Sequence, residues 1–149
     1  MSVGAEEEGL RGSKAFAKAH GDEYKNDGVE TIFIALDTLR DYDFMGIVTK
    51  DMTATVGLDK QACALMKKAS ENAGVPVNFT TTPLGSTDAA AASQAGIKAA
   101  SLVAMDPAPA TYYHTRLDKA DILVPETIEK VIDIALQTVF DFDENIGIL

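Results

Sequence analysis

The unbroken apolar run Ile-Phe-Ile-Ala-Leu at residues 32–36 fits best inside a β-sheet covered on both faces. It predicts a buried strand at residues 29–36, of the kind found in parallel sheets with helices on either side. Two more strands are predicted at residues 44–49 and 97–105. A fourth, at residues 75–79, contains Pro76, which favours a position at the edge of the sheet.

Helices are predicted between these strands. The clearest lies at residues 58–73, where apolar side chains recur on one face: Ala62, Leu65, Met66, Ala69 and Ala73. Pro125 begins the last helix, whose expected apolar stripe is Ile128, Val131, Ile132, Ala135 and Val139. Shorter helices are predicted at residues 14–20 and 89–95. Strands that alternate with helices predict an α/β fold with a mostly parallel sheet flanked by helices.

Composition narrows the class of protein. A length of 149 residues with 46% hydrophobic content predicts one folded domain over residues 1–149. The net charge of −10 is unfavourable for binding nucleic acid or an anionic membrane surface. Cys63 is the single cysteine and is expected in the core; it allows no disulfide within the chain and favours a reducing compartment such as the cytoplasm. The sequence shows neither an apolar run of transmembrane length nor a signal-peptide pattern.

An acidic motif lies close to the beginning of the chain. Residues 6–8 are three glutamates, followed by Gly-Leu-Arg-Gly-Ser at residues 9–13. One of two adjacent carboxylates can bind a metal while the other moves a proton. Ser13 is expected to cap the helix at residues 14–20, with Gly21 ending it. Alternatively, the glutamates form only a solvated acidic patch.

Two further residues have a structural interpretation of their own. Asp37 directly follows the apolar run, where an aspartate commonly caps a turn. His114, in Tyr-Tyr-His-Thr, is either a ligand or a packed, hydrogen-bonded histidine. The other histidine, His20, is explained by a favourable interaction with the end of its helix.

The segment Glu-Glu-Glu-Gly-Leu-Arg-Gly-Ser resembles the Glu-Glu-x-Gly-Leu-x-Gly-Ser motif of the two-zinc aminopeptidases of the bacterial leucyl aminopeptidase type, peptidase family 28. The resemblance implies that Glu6 is the general base and Glu7 a zinc ligand. Asp37 resembles the aspartate ligand of the next strand. Tyr113, His114 and Thr115, with Asp118, resemble the Tyr-His-Thr-x-x-Asp segment that supplies the last histidine ligand. The similarity extends from residue 5 to about residue 140.

The resemblance also implies a reaction. Two zinc ions would share a bridging water whose pKa they lower, and Glu6 would accept its proton during hydrolysis of a peptide or aminoacyl substrate. Glu7 and His114 would hold one ion and Asp37 the other. Tyr113, Thr115 and Asp118 would support these ligands or contact substrate. Asp88 would do the same, although the family's Ser-Asp-His reads Thr-Asp-Ala here.

One part of the family pattern has no counterpart. The family has a histidine ligand and a bridging aspartate before the double glutamate, and residues 1–5 contain neither. The chain is therefore expected to lack the N-terminal strands of the full domain, to hold an incomplete zinc site and to be inactive alone. An unpaired sheet edge would favour a homo-oligomer. The alternatives are a non-catalytic α/β binding module, or the second half of a split peptidase.

Overall fold

Five strands form one sheet in the computed structural model, which describes residues 3–26, 28–82, 84–106 and 111–144. The strands are β1 (Ile32–Leu39), β2 (Met45–Asp51), β3 (Val56–Gly57), β4 (Asn78–Thr81) and β5 (Lys98–Ala104). The helices are α1 (Arg11–Asn26), α2 (Lys60–Asn72), α3 (Asp88–Gln94) and α4 (Pro125–Glu144). Single turns of 3-10 helix lie at Tyr42–Phe44 and Ala120–Ile122. The predicted α/β class is confirmed.

The sheet is mixed. β1 pairs with β5 and β4 with β2 in parallel, whereas β2 is antiparallel to both β5 and β3. A mostly parallel sheet was expected, but within the described residues only two of the four pairs are parallel. The reason is the short connection from β1 to β2. It cannot carry the chain back across the sheet, as a parallel crossover requires, so β2 runs in the opposite direction to β1.

Two pairs of helices flank the sheet. α2 packs on β2 and β5 and against α4, while α3 packs on β1 and β5 and against α1. The core contains fully buried residues from the central strands and helices, among them Ile47, Met66, Leu102 and Ile134. Cys63 belongs to this core, as expected, and burial followed by the nearby Asp59 raises its pKa to about 11. No helix of the described chain is long and apolar enough to cross a membrane.

The first helix is longer than predicted. α1 begins before Ser13, so this serine is not its cap; the Ser13 hydroxyl donates to the carbonyl of Leu10 inside the first turn. Gly21 does not end the helix either. It is buried, and a Cβ there would lie 3.9 Å from the Cβ of Ala95, just after α3. A contact at that distance is ordinary van der Waals packing, so the approach of α1 to α3 leaves room for a Cβ at this position.

Two predicted strands also have different bounds in the structure. β1 continues to Leu39, so only a short connection separates it from β2. β4 begins only at Asn78, and the apolar residues Val75 and Val77 are buried in the segment before it. The short strand β3 was not predicted.

The buried stripe of α4 is displaced from the predicted one. Ile132 and Val139 are exposed, and the buried residues of the helix are Thr127, Val131, Ile134, Thr138 and Asp141. Periodicity alone could not distinguish the two stripes, because the outer face of α4 also carries apolar residues.

A buried carboxyl group joins β2 to α3. Asp51 is fully buried and accepts hydrogen bonds from the backbone N–H groups of Met52 (2.7 Å) and Thr87 (3.1 Å) and from the Thr87 hydroxyl (2.6 Å). The Thr87 side chain in turn caps α3 by accepting from the N–H of Ala89. Asp51 thus fixes the beginning of α3 against the end of β2.

We expect Asp51→Ala to lower the free energy of unfolding by roughly 2–4 kcal/mol, because it leaves several buried donors without an acceptor. Urea denaturation measures the loss. The control is Asp133→Ala, which removes an exposed carboxyl group from α4 and should change stability by less than about 0.5 kcal/mol. Equal stability of the two variants would contradict the structural role of Asp51.

Candidate active site

The double glutamate lies on a tight turn just before α1. The carbonyl of Glu6 accepts hydrogen bonds from the N–H groups of Gly9 (3.0 Å) and Leu10 (2.7 Å). Below this turn the N–H of Gly12 donates to the carbonyl of Gly4 over 3.0 Å. Gly12 permits this approach because a Cβ would clash with the backbone oxygen of Gly4 and lie 2.8 Å from its nitrogen. Gly12 by this close contact, and Gly9 by its positive φ of 89°, thus permit the tight turn that carries Glu6 and Glu7.

His114 contacts this loop although it lies more than a hundred residues away in sequence. Its Nε2 is 3.0 Å from Oε2 of Glu7, and its ring stacks at a tilt on Tyr113 with a centroid distance of 4.1 Å. Both side chains of the pair are more than half exposed, at 56% and 70%. In water such a pair contributes less than about 1 kcal/mol, so it does not hold the loop by itself.

Asp37 projects from the last part of β1, where the strand is irregular. The register with β5 shifts between Asp37 and Leu39, and the intervening Thr38 has φ 47°. A bulge of this kind re-aims neighbouring side chains. The Thr38 hydroxyl donates to Oδ1 of Asp37 over 2.8 Å. Burial raises the pKa of Asp37 in spite of this hydrogen bond, with further contributions from Asp88, Asp51 and Glu7.

Glu6 has the most perturbed carboxyl group of the motif. Burial raises its pKa to about 7, and the negative charges of Asp37, Glu7 and Asp88 add to the shift, whereas His114 acts in the opposite direction. Glu6 therefore lies within electrostatic range of these three carboxyl groups. A carboxyl group with a pKa near neutrality can both accept and return a proton.

These side chains line one open cleft with a volume of about 810 Å³. The predicted residues on its walls are Glu6, Glu7, Asp37, Tyr113, His114 and Asp118. Asp88 is near enough to influence Glu6 and Asp37 electrostatically. Thr115 supports the site from outside the cleft, its hydroxyl donating to the carbonyl of Tyr112 over 2.7 Å. His20 lies elsewhere, on α1 beside Glu23.

A cluster that the sequence did not indicate lies behind His114. The Tyr112 hydroxyl donates to Oδ2 of Asp41 over 2.5 Å, and the guanidinium of Arg40 lies 4.6 Å above the Tyr112 ring. Burial acts to raise the pKa of Asp41, but hydrogen bonds from Tyr112 and Asp106 and the charge of Arg40 outweigh it and lower the pKa. No local motif signals this cluster, because its members come together only in the folded chain.

The donor atoms fit part of a zinc site. Two ligands at tetrahedral angles around zinc, with bonds of about 2.0–2.1 Å, are separated by roughly 3.3 Å, close to the 3.0 Å between Glu7 and His114. Within the described residues, however, no group of three or more His, Cys, Asp or Glu side chains is arranged to hold a metal ion. The described residues therefore place two candidate zinc ligands, Glu7 and His114, next to each other. They do not form a complete coordination shell with Asp37.

The chain belongs to peptidase family M28, whose sequence profile matches residues 1–139. This confirms the resemblance carried by the three motifs. No curated protein sequence matches the chain.

Solved aminopeptidase structures share its fold. The LapA aminopeptidase of Legionella pneumophila superposes with a TM-score of 0.76 at 22% identity, over 94% of this chain and 38% of that one. The zinc aminopeptidase BSAP of Bacillus subtilis gives 0.74 at 22% identity, over 94% and 34%. An aminopeptidase from Aneurinibacillus sp. strain AM-1 gives 0.71 at 26% identity, over 93% and 31%. The chain thus spans about a third of the length of these proteins.

We expect Gly12→Ala to displace the turn that carries Glu6 and Glu7 and to lower the free energy of unfolding by about 1–3 kcal/mol, since the added Cβ meets backbone atoms. Thermal and urea unfolding measure the effect. Gly57→Ala is the matched control, because a Cβ there meets nothing within 4 Å. A Gly12→Ala variant as stable as Gly57→Ala would contradict the tight packing of the turn.

Proposed function

We propose that this chain carries the general base and part of the ligand set of a zinc-dependent aminopeptidase, and that it is inactive alone. The supporting observation is the meeting of Glu7 and His114 in the cleft that Glu6 and Asp37 also line. Family membership supplies the reaction class, hydrolysis of a peptide or aminoacyl bond.

Glu6 is the proposed base. Its position next to Glu7 on the loop gives the two carboxyl groups separate tasks: Glu7 faces His114, and Glu6 remains available to an attacking water. Glu6 would take a proton from that water and return it to the leaving amine. The apolar side chains of Phe44, Phe79 and Leu123 on the cleft walls would contact a peptide substrate.

The incomplete ligand set is the reason for proposing inactivity. Glu7 and His114 would bind one of the family's two zinc ions and Asp37 the other, whereas a catalytic zinc site normally has three protein ligands. No metal-dependent step can be assigned to the described residues alone. The incomplete ligand set is also compatible with two alternative functions. They are a non-catalytic α/β binding module, and the second half of a peptidase completed by another chain.

We expect the purified chain to hydrolyse aminoacyl-amide reporters no faster than its Glu6→Gln variant, with or without added zinc. This variant has nearly the same shape but cannot accept a proton. Zinc-dependent turnover that is lost in Glu6→Gln would show that the site is complete.

Metal content separates the alternatives. Tight binding of about two zinc ions would indicate a site completed within the protein. Zinc binding and activity that arise only on adding a second chain would identify a split peptidase, and no binding under any condition would favour the module.

We also propose that the chain forms a homo-oligomer through the edge of the sheet at β1. Among the described strands β1 pairs only with β5, which leaves one of its edges unpaired. α4 packs beside it and carries the exposed apolar residues Ile132, Leu136, Val139 and Phe140. Such edges and patches commonly form interfaces.

A cytoplasmic location is a further proposal that rests on the single cysteine.

Light scattering is expected to show a dimer or higher oligomer that Leu136→Glu dissociates, because a charge on the outer face of α4 opposes burial of that face. Leu117→Glu is the control, since Leu117 is similarly exposed but belongs to the segment before α4. A wild-type monomer at high concentration would contradict the proposed assembly.

A further inference from the structure

Asp41 lies at the junction of several segments that surround the candidate site. Its Oδ2 accepts hydrogen bonds from the Tyr112 hydroxyl (2.5 Å) and from the N–H of Asp106 (2.9 Å), and its Oδ1 accepts from Arg40 (2.5 Å). The backbone N–H of Asp41 donates to the carbonyl of Ala104 over 2.7 Å. Asp41 therefore joins the end of β1, the end of β5 and the segment that carries His114.

Arg40 extends the junction on the other side. Its Nε donates to the carbonyl of Ile122 over 3.2 Å, and its carbonyl accepts from the Thr127 hydroxyl at the beginning of α4. Because the Arg40 guanidinium also lies over the Tyr112 ring, the phenol is held at its hydroxyl and on its face. Tyr112 is only 7% exposed, in contrast to its two neighbours.

A hydrogen-bonded turn links Tyr112 to His114, so that the position of Tyr112 determines that of His114. The Tyr112 carbonyl accepts from both the N–H (3.0 Å) and the hydroxyl (2.7 Å) of Thr115, which closes a four-residue turn with His114 at its third position. His114, at the third position of this turn, has the left-handed φ of 56° that several types of β-turn require there. Non-glycine residues adopt it at an energetic cost. The contact with Glu7 is too exposed to offset that cost reliably, so the turn depends on its buried anchor.

We propose that Asp41 is a positioning residue for His114, acting through the buried hydroxyl of Tyr112. It holds the left-handed turn at residues 112–115 in the one arrangement that brings the imidazole to Glu7. The proposal concerns the ligand pair of the proposed function and rests on it for its significance, but the geometry it describes requires neither metal nor substrate.

The two histidines of the chain make the proposal measurable. Nitrogen-15 NMR spectra of the imidazole rings contain signals from His114 and His20 only, and His20 lies on α1 as an internal reference. Glu7→Gln defines the change in the His114 signals when the contact with Glu7 is altered. Tyr112→Phe, which removes only the hydroxyl, and Asp41→Asn are expected to reproduce most of that change while the His20 signals stay in place.

Tyr42→Phe is the matched control. Tyr42 is an exposed tyrosine one residue from Asp41, and its hydroxyl has no hydrogen bond to any described residue, so its removal should leave the His114 signals unchanged. Backbone amide spectra of each variant report whether the fold is retained.

Three outcomes would overturn the proposal. His114 signals that are unchanged in folded Tyr112→Phe and Asp41→Asn would show that the turn holds its own position. Insensitivity of His114 to Glu7→Gln would show that there is no contact to maintain. Global unfolding of both variants would make the cluster a support of the whole domain and not of His114. Since the spectra are recorded without zinc or peptide, zinc-dependent activity of the chain alone, or no zinc binding under any condition, would count against the proposed function and not against this proposal.

Discussion

The parallel pairing of β1 with β5 is the contact on which the rest of the structure depends. It aligns Ile32 with Lys98 and continues to Leu39 and Ala104, with Asp37 opposite Val103. Because side chains alternate across a strand, a slip of one residue would move Asp37 to the other face of the sheet. The same pairing brings Arg40 and Asp41 onto the carbonyl of Ala104. Register in the core thus determines both the candidate ligand of β1 and the cluster behind His114.

Periodicity predicted most of the fold, and the motifs named six residues that line one cleft. Alternating strands and helices predicted the α/β class, and the buried face of α2 was predicted correctly because Leu65, Met66 and Ala69 have no competing stripe on that helix. On α4 the outer face is also apolar, so hydrophobicity alone selected residues that proved to be exposed. The direction of β2 could not be predicted either, because it depends on the length of the connection from β1 to β2.

The Asp41 cluster shows a different limit. Asp41 and Tyr112 are 71 residues apart and belong to no shared pattern. Glu7 and His114 are farther apart, yet they could be paired because each belongs to a motif with a known family context. A supporting contact lacks such a motif, and hydrogen-bond geometry becomes visible only once the chain has folded. Sequence reasoning therefore named residues that belong to motifs and missed the contacts that Asp41 makes with Tyr112 and Arg40.

Backbone strain in the described chain is concentrated around the cleft. Positive φ angles occur at the cleft-lining residues Leu10, Thr38, Met52, Thr53 and His114, and at Ala5 and Ala54 beside them in the sequence. Each costs of order 1–2 kcal/mol for a residue with a Cβ. Glu6 adds an electrostatic cost, because burial raises its pKa to about 7 and the negative charges of Asp37, Glu7 and Asp88 raise it further. A surface selected only for stability would relieve both costs. Their coincidence at one cleft, beside a well-packed sheet, supports the proposal that this cleft is the functional region of the chain.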